Sequence, residues 1–174
     1  MSAALLVLDA QENMWAAPLH RGGEVLFALM QLVSEARSAG AMVVFVRNVG
    51  AEGAPDAPGT PGFELHHALQ PRPTELVLDK RAPDAFEGTE LEAALKKRSI
   101  SRVIIAGMQT ELCIEATCRA ADARDLEVVL AKGAHSTFDR KREPAEKVIA
   151  KVERALGEIV AIVPWRDVEL AGDD

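Results

Sequence analysis

The chain is organised as short, continuously apolar runs separated by longer stretches in which apolar and polar residues alternate with helical spacing. Continuous apolar runs are typical of strands that are covered on both faces, because such strands need no polar side. Five clear runs and a weaker final one have this character: ALLVLDA, AMVVFVRN, TELVLDK, SRVIIAGM, LEVVLAKG and IVAIVP. The pattern predicts a parallel sheet of about six strands.

The stretches between these runs place apolar residues three and four positions apart, which is the spacing of an amphipathic helix. The predicted helices span residues 24–39, 89–97, 111–123 and 143–156. Strands that alternate with helices along a chain favour a parallel sheet with helices packed on both of its faces. We therefore expect an α/β fold of three layers, α/β/α, with a Rossmann-like sheet.

One segment rich in proline and glycine, residues 49–73, interrupts the alternation between the second and third strands. A loop of this length is an inert excursion or a functional element. Ligands of open α/β sheets bind at the carboxyl ends of the strands, so we favour a lid over that edge. Because no interdomain linker follows, residues 1–174 are expected to form a single domain.

Composition and charge narrow the classes of function. The net charge is −7, with acidic and basic residues interspersed, which argues against a nucleic-acid partner. The first residues lack the basic start of a signal peptide, and their apolar run is too short to cross a membrane. We expect a cytoplasmic protein without membrane contact. Neither G-x-G-x-x-G nor G-x-x-x-x-G-K-[ST] occurs, so a nucleotide-binding module is not indicated.

Three residues with charged or reactive side chains lie at the ends of three predicted strands: Asp9, Lys80 and Cys113. Alone, each has an ordinary explanation as a cap, a surface charge or a small buried side chain. Parallel strands bring their carboxyl ends to one edge, so we expect the three to converge. A nearby ammonium group and a helix start both favour a thiolate, and a carboxylate can exchange protons with a thiol and an amine. The intervening helix separates Cys118 from Cys113 by about 7.5 Å, which is too far for a disulfide. Cys118 is expected to be part of the core.

The chain resembles the isochorismatase-like cysteine hydrolases through three segments that follow the family's order and spacing: LDAQENMW, DKRAPDAFEGTELEAAL and IIAGMQTELCIEATCRAA. The PGTPGFELHHAL loop and GMQTELC are most similar to streptothricin-hydrolase-like and uncharacterised amidohydrolase members. The resemblance implies a catalytic triad of Asp9, Lys80 and Cys113. It also implies a cis peptide between Met108 and Gln109, and an oxyanion hole formed by the backbone N–H groups of Gln109 and Cys113.

The activity implied by this resemblance is hydrolysis of a carbon–nitrogen bond in a small molecule, an amide, carbamoyl group or lactam, through a Cys113 thioester. Family members that cleave the vinyl ether of isochorismate often lack the cysteine, so that activity is the alternative within the family. A non-catalytic thiol sensor on the same fold is a further alternative. The resemblance also implies a homodimer or a homotetramer.

Five residues are candidate substrate contacts: Gln11, Trp15, Phe63, Phe86 and His135. Each has a structural alternative. Gln11 could orient the substrate or the Asp9 carboxylate, whereas the three aromatic residues could line the pocket or belong to the core. His135 could contact the substrate or satisfy a loop through a backbone hydrogen bond.

No cofactor and no metal are expected. Nicotinamidases of the family hold a metal through an Asp-x-His motif after the second strand, where this chain has VRNVGAEG. His66 and His67 are adjacent, and on a helix they would point about 100° apart instead of gripping one ion together. A surface or lid role is therefore favoured for the two histidines, and a metal near them is left open.

Overall fold

Across the described residues, six parallel strands form one sheet in the order β3-β2-β1-β4-β5-β6. The structure, a computed structural model, describes residues 2–171. The strands are β1 (Ser2–Leu8), β2 (Met42–Asn48), β3 (Leu76–Lys80), β4 (Ile100–Met108), β5 (Glu127–Ser136) and β6 (Ala161–Pro164). The predicted α/β fold class is confirmed. In this strand order the direction of winding reverses between β1 and β4, where ligands of such sheets bind.

In the part of the chain that the structure describes, five α-helices accompany the strands: α1 (Glu12–Trp15), α2 (Gly22–Ser38), α3 (Leu91–Lys97), α4 (Glu115–Asp122) and α5 (Ala145–Leu156). The four longer ones occupy the predicted stretches, but α1 escaped sequence analysis because four residues show no periodicity. The helix predicted over residues 111–123 is divided, since a π-helical turn, Thr110–Ile114, precedes α4. That turn carries Cys113.

Each face of the sheet has its own apolar core. In β1, Leu5 and Val7 face α2, whereas Leu6 and Leu8 face the layer of α3, α4 and α5. All four side chains are fully buried. Successive side chains of a strand point to opposite faces, so a strand covered on both faces must be apolar throughout. This is the physical reason for the continuous apolar runs, and it confirms the three layers.

Gly107 permits the close approach of β4 to β1 at the carboxyl edge of the sheet. It is paired with Leu8, and its φ is +117°, a conformation that L side chains rarely adopt. A Cβ atom at this position would overlap the carbonyl oxygen of Leu8. Only glycine fits, and the two strand ends that carry Asp9 and the Cys113 turn are therefore held side by side.

Residues 49–73 lie across the carboxyl ends of β1 and β2 and contain two short 3-10 turns, Pro61–Phe63 and His67–Leu69. Backbone hydrogen bonds fasten the loop to the segment after β1, with His66 N–H donating to Ala10 O and Glu12 N–H donating to Glu64 O, both at 2.8 Å. The loop thus covers the predicted edge, and whether it opens as a lid stays a prediction. Within residues 2–171, no helix has the length and apolar character that a membrane crossing requires.

Candidate active site

The Lys80 ammonium group joins the three side chains that were predicted to converge. Its Nζ atom lies 3.3 Å from Asp9 Oδ2 and 3.1 Å from Cys113 Sγ. Asp9 is 2% exposed, Lys80 is 1% exposed and Cys113 is 8% exposed. A carboxylate, an ammonium group and a thiol are therefore in mutual reach inside an almost closed space.

Backbone geometry at the strand ends aims these side chains. Asp9 follows β1 with a φ of +49°, and its N–H donates to Val46 O of β2 at 2.8 Å. On the other side, the N–H groups of Leu112 and Ile114 both donate to Gln109 O, at 3.1 and 3.2 Å, which winds the turn that carries Cys113. The peptide bond between Met108 and Gln109 is cis, as the resemblance implied.

The Cys113 thiol is not the preformed thiolate that sequence analysis predicted. Burial and, after it, the negative charge of Asp9 raise its pKa to about 12, because the attraction of Lys80 offsets only part of their effect. The thiol donates a hydrogen bond to the Asp9 carboxylate. The expectation was wrong because the sequence reveals the neighbouring ammonium group but not how little water reaches the sulfur.

The Asp9 carboxylate is placed to act as a base. Burial raises its pKa above the ordinary value, despite the opposing effects of Lys80 and the Cys113 thiol, and the nearby charge of Asp56 adds to the rise. Asp9 Oδ1 is buried and has no hydrogen-bond partner within residues 2–171. A carboxylate with a raised pKa and a free oxygen can accept a proton from the thiol and pass it to a bound molecule.

The direction of the Cys113 pKa gives a testable pH dependence. Alkylation by iodoacetamide requires thiolate, whose fraction rises until the pH passes the pKa, so the rate should still be rising at about pH 11. An exposed cysteine with an ordinary pKa levels off near about pH 9. The measurement is a pH series in the Cys118→Ala background, with intact-protein mass spectrometry as the readout.

Asp9→Asn supplies the control for this series, because it removes the negative charge that disfavours the thiolate. The whole profile should then move to lower pH. A rate in the parent protein that is already constant between about pH 6 and about pH 8 would contradict the raised pKa.

Asn48 is a fourth member of the cluster that sequence analysis missed. Its Oδ1 accepts from Lys80 Nζ at 3.3 Å, and its Nδ2 donates to Asp56 Oδ2 at 2.7 Å. Asn48 ends β2 as Lys80 ends β3, so a systematic reading of strand ends would have found it. Together with Asp9 and Cys113, it gives the three N–H donors of Lys80 three separate acceptors.

Gln11 fastens the loop to the sheet. Its side chain is fully buried, with Nε2 donating to Phe63 O at 2.8 Å and to Asn48 O at 3.0 Å. Its Oε1 accepts from the Asn48 N–H at 2.8 Å. Because both ends of the amide bind main chain, this geometry favours a structural role over the substrate or Asp9 contact that sequence analysis suggested.

The three candidate aromatic residues have partners of their own. Trp15 Nε1 donates to Gly22 O at 2.9 Å, and the Trp15 ring meets His66 edge to face. Phe63 and Phe86 are buried, and each lies 4.4 Å beneath the guanidinium carbon of an arginine, Arg47 and Arg124 respectively. Phe86 belongs to the core around α3 and α4. A substrate contact for these rings stays a prediction.

The two adjacent histidines do not diverge as predicted. His66 precedes a 3-10 turn instead of lying within a helix, and its ring stacks on that of His67 at a centroid distance of 4.3 Å. With Glu12 they are close enough to surround a cation. However, His66 Nδ1 accepts from Ala68 N–H at 3.1 Å, and Glu12 Oε1 bonds His67 Nδ1 at 2.9 Å. These bonds occupy Nδ1 of each histidine and Oε1 of Glu12, and a metal near them stays an open question.

His135 lies at the end of β5 with its ring buried. Both ring nitrogens are within hydrogen-bond distance of side chains, Thr110 Oγ1 and Glu153 Oε1. The backbone hydrogen bond weighed as an alternative is therefore replaced by two side-chain contacts. Neither Thr110 nor Glu153 was singled out in the sequence, because their proximity depends on how α5 packs.

Comparison with known proteins agrees with the fold. The family model for the isochorismatase domain matches residues 3–162. A streptothricin hydrolase from Streptomyces noursei is 39% identical over 171 residues, covering 92% of this chain and 68% of that protein. A ureidoacrylate amidohydrolase from Methylorubrum extorquens is 29% identical over 143 residues, covering 65% of this chain and 58% of that protein.

A solved structure extends the likeness to three dimensions. An isochorismatase from Pseudomonas putida superposes with a TM-score of 0.91 at 25% sequence identity, covering 96% of this chain and 90% of that chain. The likeness therefore extends over nearly the whole fold. With the family model matched over most of its length, the chain belongs to the isochorismatase family and is a hydrolase.

Proposed function

We propose that this protein is a cysteine hydrolase that opens a carbon–nitrogen bond of a small molecule through a thioester on Cys113. One observation carries the proposal: Lys80 Nζ contacts both Asp9 Oδ2 and Cys113 Sγ in a buried space. The names of two relatives, a streptothricin hydrolase and a ureidoacrylate amidohydrolase, support this class of reaction. The bond broken would belong to an amide, a carbamoyl group or a lactam.

In the acylation half, the sulfur of Cys113 attacks the substrate carbonyl carbon while Asp9 takes the thiol proton. This sequence suits a thiol with a raised pKa, because the proton leaves only as the new bond forms. A sulfur–carbon bond forms and a tetrahedral intermediate results. The intermediate collapses by breaking the carbon–nitrogen bond, and the proton on Asp9 passes to the departing nitrogen.

In the deacylation half, water attacks the thioester carbon while Asp9 takes one of its protons. An oxygen–carbon bond forms, the sulfur–carbon bond breaks, and the proton returns from Asp9 to the sulfur. The sum is an amide and water converted to a carboxylic acid and an amine. In each half of the reaction, Asp9 therefore accepts one proton and gives one up. Its Oδ1 is buried and has no hydrogen-bond partner among the described residues, so it is free to do so.

The negative oxygen of the tetrahedral intermediate would be bound by the N–H groups of Gln109 and Cys113. Both residues lie at the start of the helical segment formed by the Thr110–Ile114 turn and α4. The first N–H groups of a helix lack acceptors within it, and the helix dipole adds positive potential there. Removing one donor of this kind typically costs about 100- to 1000-fold in rate.

Lys80 supplies a fixed positive charge between the two groups that exchange the proton. The ammonium group stabilises the Asp9 carboxylate before the transfer and the developing thiolate during it. Asn48 holds it from a third side at 3.3 Å. The expected role of Lys80 is electrostatic, with its proton retained throughout.

The test is to find the bond that is broken. The protein is incubated with small primary amides, N-carbamoyl amino acids and lactams, and rapid acid quenching traps the intermediate. We expect amine release together with an intact-protein mass raised by the acyl fragment, mapped to the Cys113 peptide. A protein that cleaves isochorismate while leaving every carbon–nitrogen substrate intact would contradict the proposal and favour vinyl ether hydrolysis.

A further inference from the structure

A chain of three polar side chains, buried at Thr110 and His135 and half-buried at Glu153, reaches the Cys113 turn. Thr110 Oγ1 lies 2.9 Å from His135 Nδ1, and His135 Nε2 lies 3.0 Å from Glu153 Oε1. Thr110 is fully buried and His135 is 3% exposed. The chain links the start of the turn, the end of β5 and the middle of α5, and the mechanism above uses none of it.

The carboxylate fixes the direction of the hydrogen bond that it shares with His135. Burial alone would raise the pKa of Glu153, but its hydrogen bond to His135 and the charges of His135 and Lys132 hold it below the ordinary value. An ionised carboxylate only accepts, so His135 Nε2 must donate to it. Thr110 Oγ1 bonds the other ring nitrogen, Nδ1, so both sides of the His135 ring are engaged. Thr110 is thereby held in one orientation.

A second residue of the same strand end holds the turn on both sides of Thr110. Thr137 Oγ1 donates to Glu111 Oε1 at 2.8 Å and also lies 3.3 Å from Gln109 Oε1. The end of β5 thus binds the side chains of three consecutive residues, 109 to 111. Both proposed oxyanion donors, Gln109 and Cys113, belong to this turn or directly precede it.

We propose that Thr110, His135 and Glu153 form a positioning network that holds the oxyanion hole in its productive geometry. The inference rests on the proposed function, because it concerns the N–H groups of Gln109 and Cys113. A displacement of about 1 Å at a reacting centre can cost about 100-fold in rate, so a turn that is held in place preserves the rate of the reaction. His135 is then a positioning residue that does not contact the substrate.

Two reactions of Cys113 Sγ distinguish a defect in the oxyanion hole from a defect in the reactivity of the thiol. p-Nitrophenyl acetate acylates Cys113 through a tetrahedral oxyanion: the sulfur–carbon bond forms, the thiol proton passes to Asp9, and p-nitrophenolate leaves. Iodoacetamide alkylates the sulfur by direct displacement of iodide, with no oxyanion. The burst of p-nitrophenolate and the alkylation rate are measured on each variant, and their ratio reports on the oxyanion hole alone.

Thr110→Val and Glu153→Leu should lower this ratio roughly 10- to 100-fold, somewhat less than the loss of a complete donor. Thr110→Ser and Glu153→Gln keep a donor or an acceptor in place and should stay within about threefold of the parent. The matched control is Thr117→Val. Thr117 is also fully buried, and its Oγ1 accepts from Ala85 N–H at 3.1 Å, but it lies outside the network.

An unchanged ratio in folded Thr110→Val, or an equal loss in Thr117→Val, would overturn the proposal. If thermal unfolding shows that Thr110→Val does not fold, the Glu153 variants provide the test. Equal ratios in Glu153→Leu and Glu153→Gln would then overturn the proposal. A lowered ratio in a protein that hydrolyses no carbon–nitrogen substrate would support the network and reject the proposed substrate class. A parent protein that alkylates but does not acylate would reject both.

Discussion

Cys113→Ala is expected to reduce amine release from the carbon–nitrogen substrate by a factor on the order of 10⁴ to 10⁶. The variant retains the charged pair of Asp9 and Lys80 but has no atom that can form the thioester. Water would then have to attack the amide directly, without covalent catalysis. Single-turnover amine release, with the free energy of unfolding measured in parallel, checks the prediction.

Cys118→Ala is the matched control for this experiment. Cys118 is fully buried on α4 within the apolar core, and burial raises its pKa to about 12 as it does that of Cys113. The two thiols therefore differ mainly in their neighbours, since only Cys113 contacts Lys80. Cys118→Ala should keep its turnover, and a Cys113→Ala protein with more than about a tenth of the parent rate would reject the nucleophile.

Lys80→Met is expected to lower the free energy of unfolding by about 3 to 5 kcal/mol at neutral pH and to reduce turnover by roughly 10³-fold or more. The substitution leaves the Asp9 carboxylate buried without its counter-charge. Its pKa, already raised by burial, then rises further, because the main opposing interaction is gone. A protonated Asp9 cannot accept the thiol proton, so stability and activity fall for the same reason.

The sign of the pH dependence follows from that pKa. Asp9 binds its proton more tightly in the folded protein than in the unfolded chain, so stability decreases as the pH rises from the unfolded value through the folded one. The cost of Lys80→Met should therefore be larger at about pH 8 than at about pH 5. Chemical denaturation at both pH values measures it.

Two further variants make this prediction specific. Asp9→Asn combined with Lys80→Met removes both charges and should recover part of the lost stability without restoring turnover. Lys96→Met removes an exposed ammonium group that is 2.6 Å from Glu92, and should change stability by less than about 1 kcal/mol. A Lys80→Met protein as stable as Lys96→Met at both pH values would contradict a buried charge pair at the site.

Much of the fold was predictable, because a strand covered on both faces leaves a mark that needs no tertiary information. Leu5, Leu6, Val7 and Leu8 are apolar for two different cores, and the sequence shows this as one unbroken run. The end of such a run also locates the edge of the sheet, and this is why Asp9, Lys80 and Cys113 could be grouped in advance. The same reasoning applied to the second strand would have added Asn48.

What the sequence could not supply was the degree of burial and the destination of each polar side chain. The pKa of Cys113 depends on how completely water is excluded, and the opposing ammonium group alone suggested the wrong direction. Gln11 and His135 were selected for chemistry near the site, but their partners are brought to them by a long loop and by α5. The small-molecule substrate and the assembly as a homodimer or homotetramer stay predictions.

The fastening of the covering loop by Gln11 bears on how members of this family could be re-engineered. The Gln11 amide binds only main-chain atoms of Asn48 and Phe63, so it places no demand on the side chains at those positions. A loop segment taken from a relative has to present one carbonyl group to Gln11, where Phe63 O stands, while Asn48 stays in β2. Because Gln11 bonds the main chain at position 63 and not its side chain, the residue there can change without loss of this attachment to the sheet.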